Sequence, residues 1–422
     1  SYIDFFFREI IPQGTFNVLA APVYFDYQGI VTWRPDPRHR VRLLIYGSSD
    51  DLSLVFGNPS DSDPAVRGNF GISTEFHRVQ ASWRFTEGPI QQDVMVAFGL
   101  NDTAFGIGDN LRFNGQFLPL TLRSETRVAL SDRARLVFGL DSQWTPLDLA
   151  FRGPQSGQAE GDPSNDPLQG SSSIDVRIRT EAYRPAVYLE SQLRPTDQLD
   201  VVVGVRADYF RDVTSWSVDP RLTGRYRFNS QWALRAGVGL YSQPPEFQES
   251  SPAFGNADLS VLTSVHAGAG GDFRLPEYNF QLTLDGFYKH IYDRPVSTQG
   301  SVPPFFENAG LGRIYGMEVG ARMTPGGPLP FFGFLSYTLS RSERNDRPEQ
   351  GDNWRLFDFD QTHILTLAGV WTIGDGWEAG LTFRLVSGNP LTPVTGANFD
   401  ANLGLYRPTY GAVNSERNPF FH

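Results

Sequence analysis

The sequence predicts an all-β chain folded as a large antiparallel transmembrane β-barrel of the outer-membrane type. Three observations predict it. Long runs alternate with a period of two between a greasy and a polar face. The links between runs are alternately short and long. No run approaches the roughly 18 apolar residues that a spanning helix needs. A mean hydropathy of -0.31 is compatible with such a wall, because only every second strand residue faces lipid.

The pattern is clearest from Arg194 to Ser242. After the turn at Pro195-Thr196-Asp197, Leu199, Val201, Val203, Val205, Ala207 and Tyr209 share one face, while Asp200, Arg206 and Asp208 fall on the other. In the next run Arg221, Thr223, Arg225 and Arg227 oppose Leu222, Gly224, Tyr226 and Phe228. After Asn229-Ser230, Trp232, Leu234, Ala236, Val238 and Leu240 oppose Arg235, the glycines and Tyr241. These runs exceed the usual five or six strand residues. Their arginine-bearing face has no helix to cover it, which suits a wall with lipid outside and water or a plug inside.

Sixteen strands are expected, at about 16–33, 39–56, 70–85, 91–101, 119–130, 134–151, 174–194, 199–210, 219–228, 231–242, 260–274, 278–293, 312–324, 331–342, 358–373 and 376–388. Every first link is tight and carries turn residues, such as Arg34-Pro35-Asp36-Pro37, Glu87-Gly88-Pro89, Ser131-Asp132-Arg133 and Pro325-Gly326-Gly327-Pro328. The other links are mostly long and polar, at 57–69, 102–118, 152–173, 211–218, 243–259, 294–311, 343–357 and beyond Ser387. Periplasmic turns are short and outer loops long in outer-membrane barrels. A sandwich has no reason to keep that order, and the lack of a fixed-period repeat weakens a propeller. Trp33, Trp83, Phe85, Tyr226, Phe228, Trp232, Phe331, Phe332, Trp371 and Trp377 sit beside the short turns and read as an interfacial girdle, with the ordinary strand propensity of aromatics as the competing account.

Composition narrows the function. There are 422 residues and no cysteine, so disulfides and thiolate metal sites are excluded. A net charge of -11 argues against nucleic acid as a partner. Lys289 is the only lysine. Arginine therefore carries the positive charge, through coding bias or through contacts with anionic outer-leaflet lipid. Neither end reads as finished, and an open strand edge is costly in lipid. Either a porin-size barrel closes on these strands, or a barrel of about 22 strands, whose lumen is plugged, extends beyond both ends.

Four marks then resemble the TonB-dependent outer-membrane transporters. Asp219-Pro220-Arg221-Leu222 followed by Gly224-Arg225-Tyr226-Arg227-Phe228 resembles the family's PRxxxxYxF segment, and Gly239-Leu240-Tyr241-Ser242-Gln243-Pro244-Pro245 the strand end after it. Asn308-Ala309-Gly310 with Tyr315-Gly316-Met317-Glu318 resembles its NxG and YGxE segment, and Asp360-Gln361-Thr362-His363 its DxxH strand start. The resemblance implies that residues 1–422 are the central part of a barrel domain. The N-terminal plug, the TonB box and the final strands would lie outside this sequence. It also implies ligand-gated import of a nutrient, with the plug and the TonB energy-transducing complex as partners and outer-membrane lipid and lipopolysaccharide around the wall. Iron chelates, cobalamin, oligosaccharides and peptides are all ligands of that architecture. A passive porin-like channel and a surface receptor or adhesin without transport are the rival readings.

Candidate ligand residues in the outer loops are Trp216, Phe247, Phe254, Phe305, Phe306, Trp354, Arg355 and Phe357, since aromatics with a few charges suit a ligand of several hundred daltons. Packing of the loops against each other is the competing account. Arg206, Arg225, Arg235, Arg384, Asp200, Asp208 and Asp285 are expected to face the lumen, where cross-strand pairing is the plain reading. No catalytic role and no cofactor are expected. His290 between Asp285 and Asp293 imitates a hydrolytic pair only superficially, and His363 and Asp360 fall on opposite strand faces. The acidic run from Glu160 to Asp166 lacks the spacing of a calcium loop and reads as solvated.

Overall fold

A computed structural model of the chain describes residues 23–56, 68–108, 111–154, 160, 173–252, 255–298, 304–374, 376–401 and 404–420. Its main element is one antiparallel sheet of 18 segments. In order these are β1 (Val23–Asp36), β2 (His39–Phe56), β3 (Gly68–Glu87), β4 (Ile90–Ile107), β5 (Leu111–Phe117), β6 (Leu120–Ser131), β7 (Ala134–Pro154), β8 (Ser173–Leu193), β9 (Leu199–Phe210), β10 (Ser215–Arg227), β11 (Trp232–Gln243), β12 (Leu262–Leu275), β13 (Phe280–Ser297), β14 (Phe306–Met323), β15 (Phe331–Asn345), β16 (Arg355–Leu356), β17 (His363–Gly374) and β18 (Trp377–Val386). Each wall strand pairs with the next in sequence. Among the described residues no pairing joins β1 to β18.

Two pairs of segments are single wall strands with a break. β5 and β6 lie end to end between β4 and β7, interrupted where Pro119 supplies no N–H to the ladder. β16 and β17 both pair with β15. Between them Asp360 accepts the Ser342 backbone N–H at 2.6 Å and fills the gap. Eighteen segments less these two joins leave sixteen wall strands, in the order expected from sequence. The short links close as side-chain-supported turns. Asp36 Oδ1 accepts the N–H of Arg38 at 2.8 Å and of His39 at 3.1 Å, and Asn229 Oδ1 does the same for Gln231 and Trp232.

The two faces of the wall differ chemically. On one, side chains reach over an intervening strand to the next but one, which only a concave surface allows. Arg206 on β9 meets Asp141 on β7 at 3.5 Å, Tyr188 on β8 donates to Glu125 on β6 at 2.7 Å, and Arg225 on β10 pairs with Asp272 on β12 at 2.9 Å. This is the inner face. Asp272 is almost fully buried and holds Arg235 as well, at 2.5 Å. Arg235 also donates through Nε to Asp285 at 3.0 Å. Asp200 joins Arg227 to Arg194, and Asp208 holds Arg206 at 2.8 Å. Glycine makes room for these arms: a Cβ at Gly270 would overlap the Asp285 carboxylate.

The opposite, outer face is apolar, with Val203, Val205, Leu222, Leu234, Val238 and Leu284 exposed. Aromatic rings bound this band at both ends. Near the tight turns lie Trp33, Trp83, Tyr226, Phe228, Trp232, Phe331, Trp371 and Trp377. At the far end Trp144 pairs across from Tyr183, Trp216 from Tyr209, and Tyr288 from Tyr315. Trp216 and Tyr226 are ten residues apart on β10. That is about 33 Å along a strand and about 25 Å along the axis at a tilt of roughly 40°, the height of a hydrocarbon band. No described helix is long and apolar enough to cross a membrane; the crossing elements are these strands.

Candidate functional site

Beyond the second aromatic ring the wall continues and its polarity inverts. On β7 and β8 the outer face carries Asp148, Arg152, Arg177, Arg179 and Glu181, with Arg177 on Asp148 at 2.7 Å. The inner face there is Leu147, Leu149, Phe151, Val176 and Ile178, with Leu149 buried. The same switch occurs on β5, where Arg112, Asn114 and Gln116 point out and Leu111, Phe113 and Phe117 point in. The packing is tight enough that a Cβ at Gly115 would meet Leu149, Phe113 and Phe117 at 3.0 Å each. The expected loop at 102–118 is therefore largely strand, with β4 running to Ile107 and β5 starting at Leu111. These strands stand in water rather than lipid, so their charged face looks outward.

The opposite side of the mouth is built from the ends of β13 to β16. A bulge at Asp293, with φ of 55°, breaks the register between Ile291 and Arg294. Arg294 there lies beside Arg344 at the end of β15 and Arg355 on β16, and all three side chains are about nine-tenths buried. Arg355 donates through Nε to Asp346 at 2.6 Å, and Arg294 also pairs with Asp346. The fourth member is Glu160, from the link between β7 and β8 across the mouth. Its carboxylate stands 3.2 Å from Arg344 Nε, 3.4 Å from Arg355 Nη2 and 3.8 Å from Arg294 Nη1. Its backbone carbonyl accepts from Arg355 at 2.8 Å. Arg294 Nε is buried without a hydrogen-bond partner. Burial alone would raise the Asp346 carboxyl, but the Arg355 hydrogen bond and the Arg355 and Arg294 charges hold it below its ordinary value. Burial pushes the nearby Glu249 carboxyl up.

The expected ligand residues divide. Arg355 is in this cluster, Phe357 lies under the Arg344 guanidinium at 4.2 Å, and Trp354 lies under that of Arg313 at 4.1 Å. Phe305 and Phe306 pack with Leu259 into a buried apolar knot, and Phe306 begins β14 rather than lying in a loop. Their burial leaves the loop-packing account standing for these two. Phe247 starts a one-turn helix, Phe247–Ser250, and is half-buried. Trp216 was expected in a loop but lies on β10, facing outward against Tyr209 at 4.7 Å. Phe254 lies outside the described residues. Arg206, Arg225, Arg235, Asp200, Asp208 and Asp285 lie on the inner face, as does Arg384 on β18. Sequence reasoning missed Arg294 and Arg344, and it read Glu160 as part of a solvated loop.

Histidine offers little chemistry. His290 stands on the outer face, opposite in parity to Asp285. His363 accepts or donates to Tyr337 at 2.9 Å, while Asp360 is taken up by Arg417, Thr362 and Ser342. Among the described residues no three His, Asp or Glu side chains could hold a metal ion.

The profile of the family described as TonB dependent receptor-like, beta-barrel, matches residues 12–415. The chain belongs to this family. As a TonB-dependent receptor barrel it resides in the outer membrane, in keeping with its lipid-facing band. The curated Acinetobacter baumannii PirA, a TonB-dependent siderophore receptor by name, is 24% identical over 237 residues, 51% of this chain and 30% of PirA. Among solved structures, the outer membrane transporter YddB from Escherichia coli matches with a TM-score of 0.68 at 10% identity, over 93% of this chain and 61% of that one. The siderophore receptor PirA from Acinetobacter baumannii matches at 0.66 and 14%, over 93% and 63%. The ferripyoverdine receptor of Pseudomonas aeruginosa matches at 0.67 and 11%, over 93% and 57%. The chain thus spans less than two thirds of the length of these receptors.

Proposed function

We propose that the whole protein is a ligand-gated, TonB-dependent importer of the outer membrane. In this reading the 16 wall strands are continued by further strands that close the ladder. A plug domain fills the lumen against the inner-face arginine and aspartate network. The TonB complex pulls on that plug from the periplasm. The ligand is an iron chelate of the siderophore class, which the names of the relatives support. It enters at the end where β7 and β8 stand above the membrane, and meets Arg355 and Phe357 with Arg344 behind them. The observation that carries the reading is the family match over 12–415 on a wall whose inner face is charged along the lumen.

Uptake of radiolabelled ferric siderophores by cells making the full-length protein tests it. Accumulation should require the protein and collapse when the proton gradient is dissipated. Uptake that survives the loss of the gradient, or open ungated conductance in planar bilayers, would instead mark a passive channel.

A further inference from the structure

We infer that Glu160 is a built-in occupant of an anion site, and that its carboxylate holds Arg294, Arg344 and Arg355 in place of a carboxylate-bearing ligand. This deepens the transport reading and rests on it for its biological meaning. The argument starts from the cost of burying charge. Three guanidinium groups, each about nine-tenths buried, lie together at the mouth. Buried cations are strongly unfavourable unless paired. Asp346 satisfies Arg294 and Arg355, and Asp358 lies 3.4 Å from Arg355. Both come from the same stretch of chain as Arg344 and Arg355, and so form part of the site's frame. Arg344 has no carboxylate partner among the described contacts other than Glu160.

Glu160 has a different origin. It belongs to the link between β7 and β8, 195 residues from Arg355, and meets the arginines from across the mouth. Among the described residues it alone of the acids touches all three. Its hold is nevertheless loose. The three nitrogen–oxygen separations of 3.2, 3.4 and 3.8 Å exceed the 2.7–2.9 Å of a strong charge-assisted bond. The Nε of Arg294, whose side chain is more than nine-tenths buried, donates to no acceptor. A planar guanidinium fork binds a carboxylate edge-on through two nitrogens, and a single tethered carboxylate cannot do that for three forks at once. The site therefore has donors in excess of what Glu160 can satisfy. A free ligand with more than one carboxylate would satisfy them better, and must displace Glu160 to do so.

The test uses the full-length protein in detergent, with metal-free citrate as the probe and calorimetry as the readout. Removing the charge in E160Q should tighten citrate binding about tenfold or more, the effect of releasing one charge-assisted contact. E160D, which keeps the carboxylate, should stay within about twofold of the parent. The gain should vanish in the double variant E160Q/R355Q. Heat-dependent migration in gel electrophoresis checks that each variant is a folded barrel, and E160Q/R344K replaces E160Q/R355Q if that variant is not, with the gain again expected to vanish. Unchanged citrate affinity in E160Q overturns the inference, and so does a gain that survives the loss of Arg355. The assay involves no uptake, so a failed transport experiment beside an intact E160Q gain in citrate affinity would fault the import reading alone.

Discussion

If lipid covers the band between the two aromatic rings, then the cost of an outward-facing arginine must depend on height. Leu222 faces outward on β10, four residues from Tyr226 and six from Trp216. It therefore lies near mid-band, about 10 Å along the axis from Tyr226 and about 15 Å from Trp216. Ala104 also faces outward, on β4, but lies six residues past Phe98 and between Ser73 and Asn114, where outer-face neighbours are polar. Leu222→Arg should cost about 2–4 kcal/mol, the penalty for arginine at the bilayer midplane, and Ala104→Arg about 0–1 kcal/mol. The measurement is equilibrium denaturant unfolding of the full-length protein from lipid vesicles, each variant against the parent. A second mid-band variant, Val203→Arg, should match Leu222→Arg. Equal penalties at 104 and 222 would refute the placement of the band. A larger penalty at 104 would place the lipid against the charged extension and reverse the reading of both faces.

Three further outcomes follow from named contacts. Asp272→Asn removes the shared partner of Arg225 and Arg235; because both arginines are more than one third exposed, the expected loss is reduced to about 2 kcal/mol, and a loss below about 0.5 kcal/mol in vesicle unfolding would show that water already satisfies them. Gly270→Ala forces Asp285 off Arg235 and should destabilise by about 1–3 kcal/mol, so full parental stability would contradict the close approach. Asp346 has a lowered carboxyl value in the fold, so its stabilisation is complete above the unfolded value of about 3.9 and is lost as pH falls through the folded one. Hydrogen-exchange protection factors over 346–356, corrected for the intrinsic pH dependence of amide exchange, should thus be the same at pH 5 as at pH 7, and protection lost between those values would count against the Arg294–Asp346–Arg355 clamp.

Much of the wall was legible because a lipid-facing strand has a one-sided pattern. β2 and β9 have the bounds read from sequence, 39–56 and 199–210. Reading failed where the physical surroundings changed. Along β4 the outer face is apolar at Val96 and Phe98 and polar by Asp102, while Phe105 and Ile107 take up the inner face. The period of two persists, but its phase slips by one residue, and a pattern sought with one phase reads as a loop. Trp216 was misplaced for a related reason, since Ser217 and Asp219 beside it are polar yet face inward on a strand. Of the arginine cluster only Arg355 was legible in the sequence. Arg294 turns inward because of a one-residue bulge, and its partner across the mouth is Glu160, to which no local pattern connects it.

The phase slip and the arginine cluster have one cause. Above the outer ring there is no lipid, so the outer face has to be wettable and the apolar side chains go inward. On the β5–β8 side this produces the Leu149 and Phe151 surface. On the β13–β16 side the same enclosure buries three arginines, which lumen water would otherwise solvate. Charge held in such a place must be neutralised from within reach, and among the described residues the acids of its own strands give Arg344 no carboxylate partner. Glu160 supplies one from across the mouth. The contact that stabilises this end of the barrel therefore also occupies guanidinium donors at the mouth.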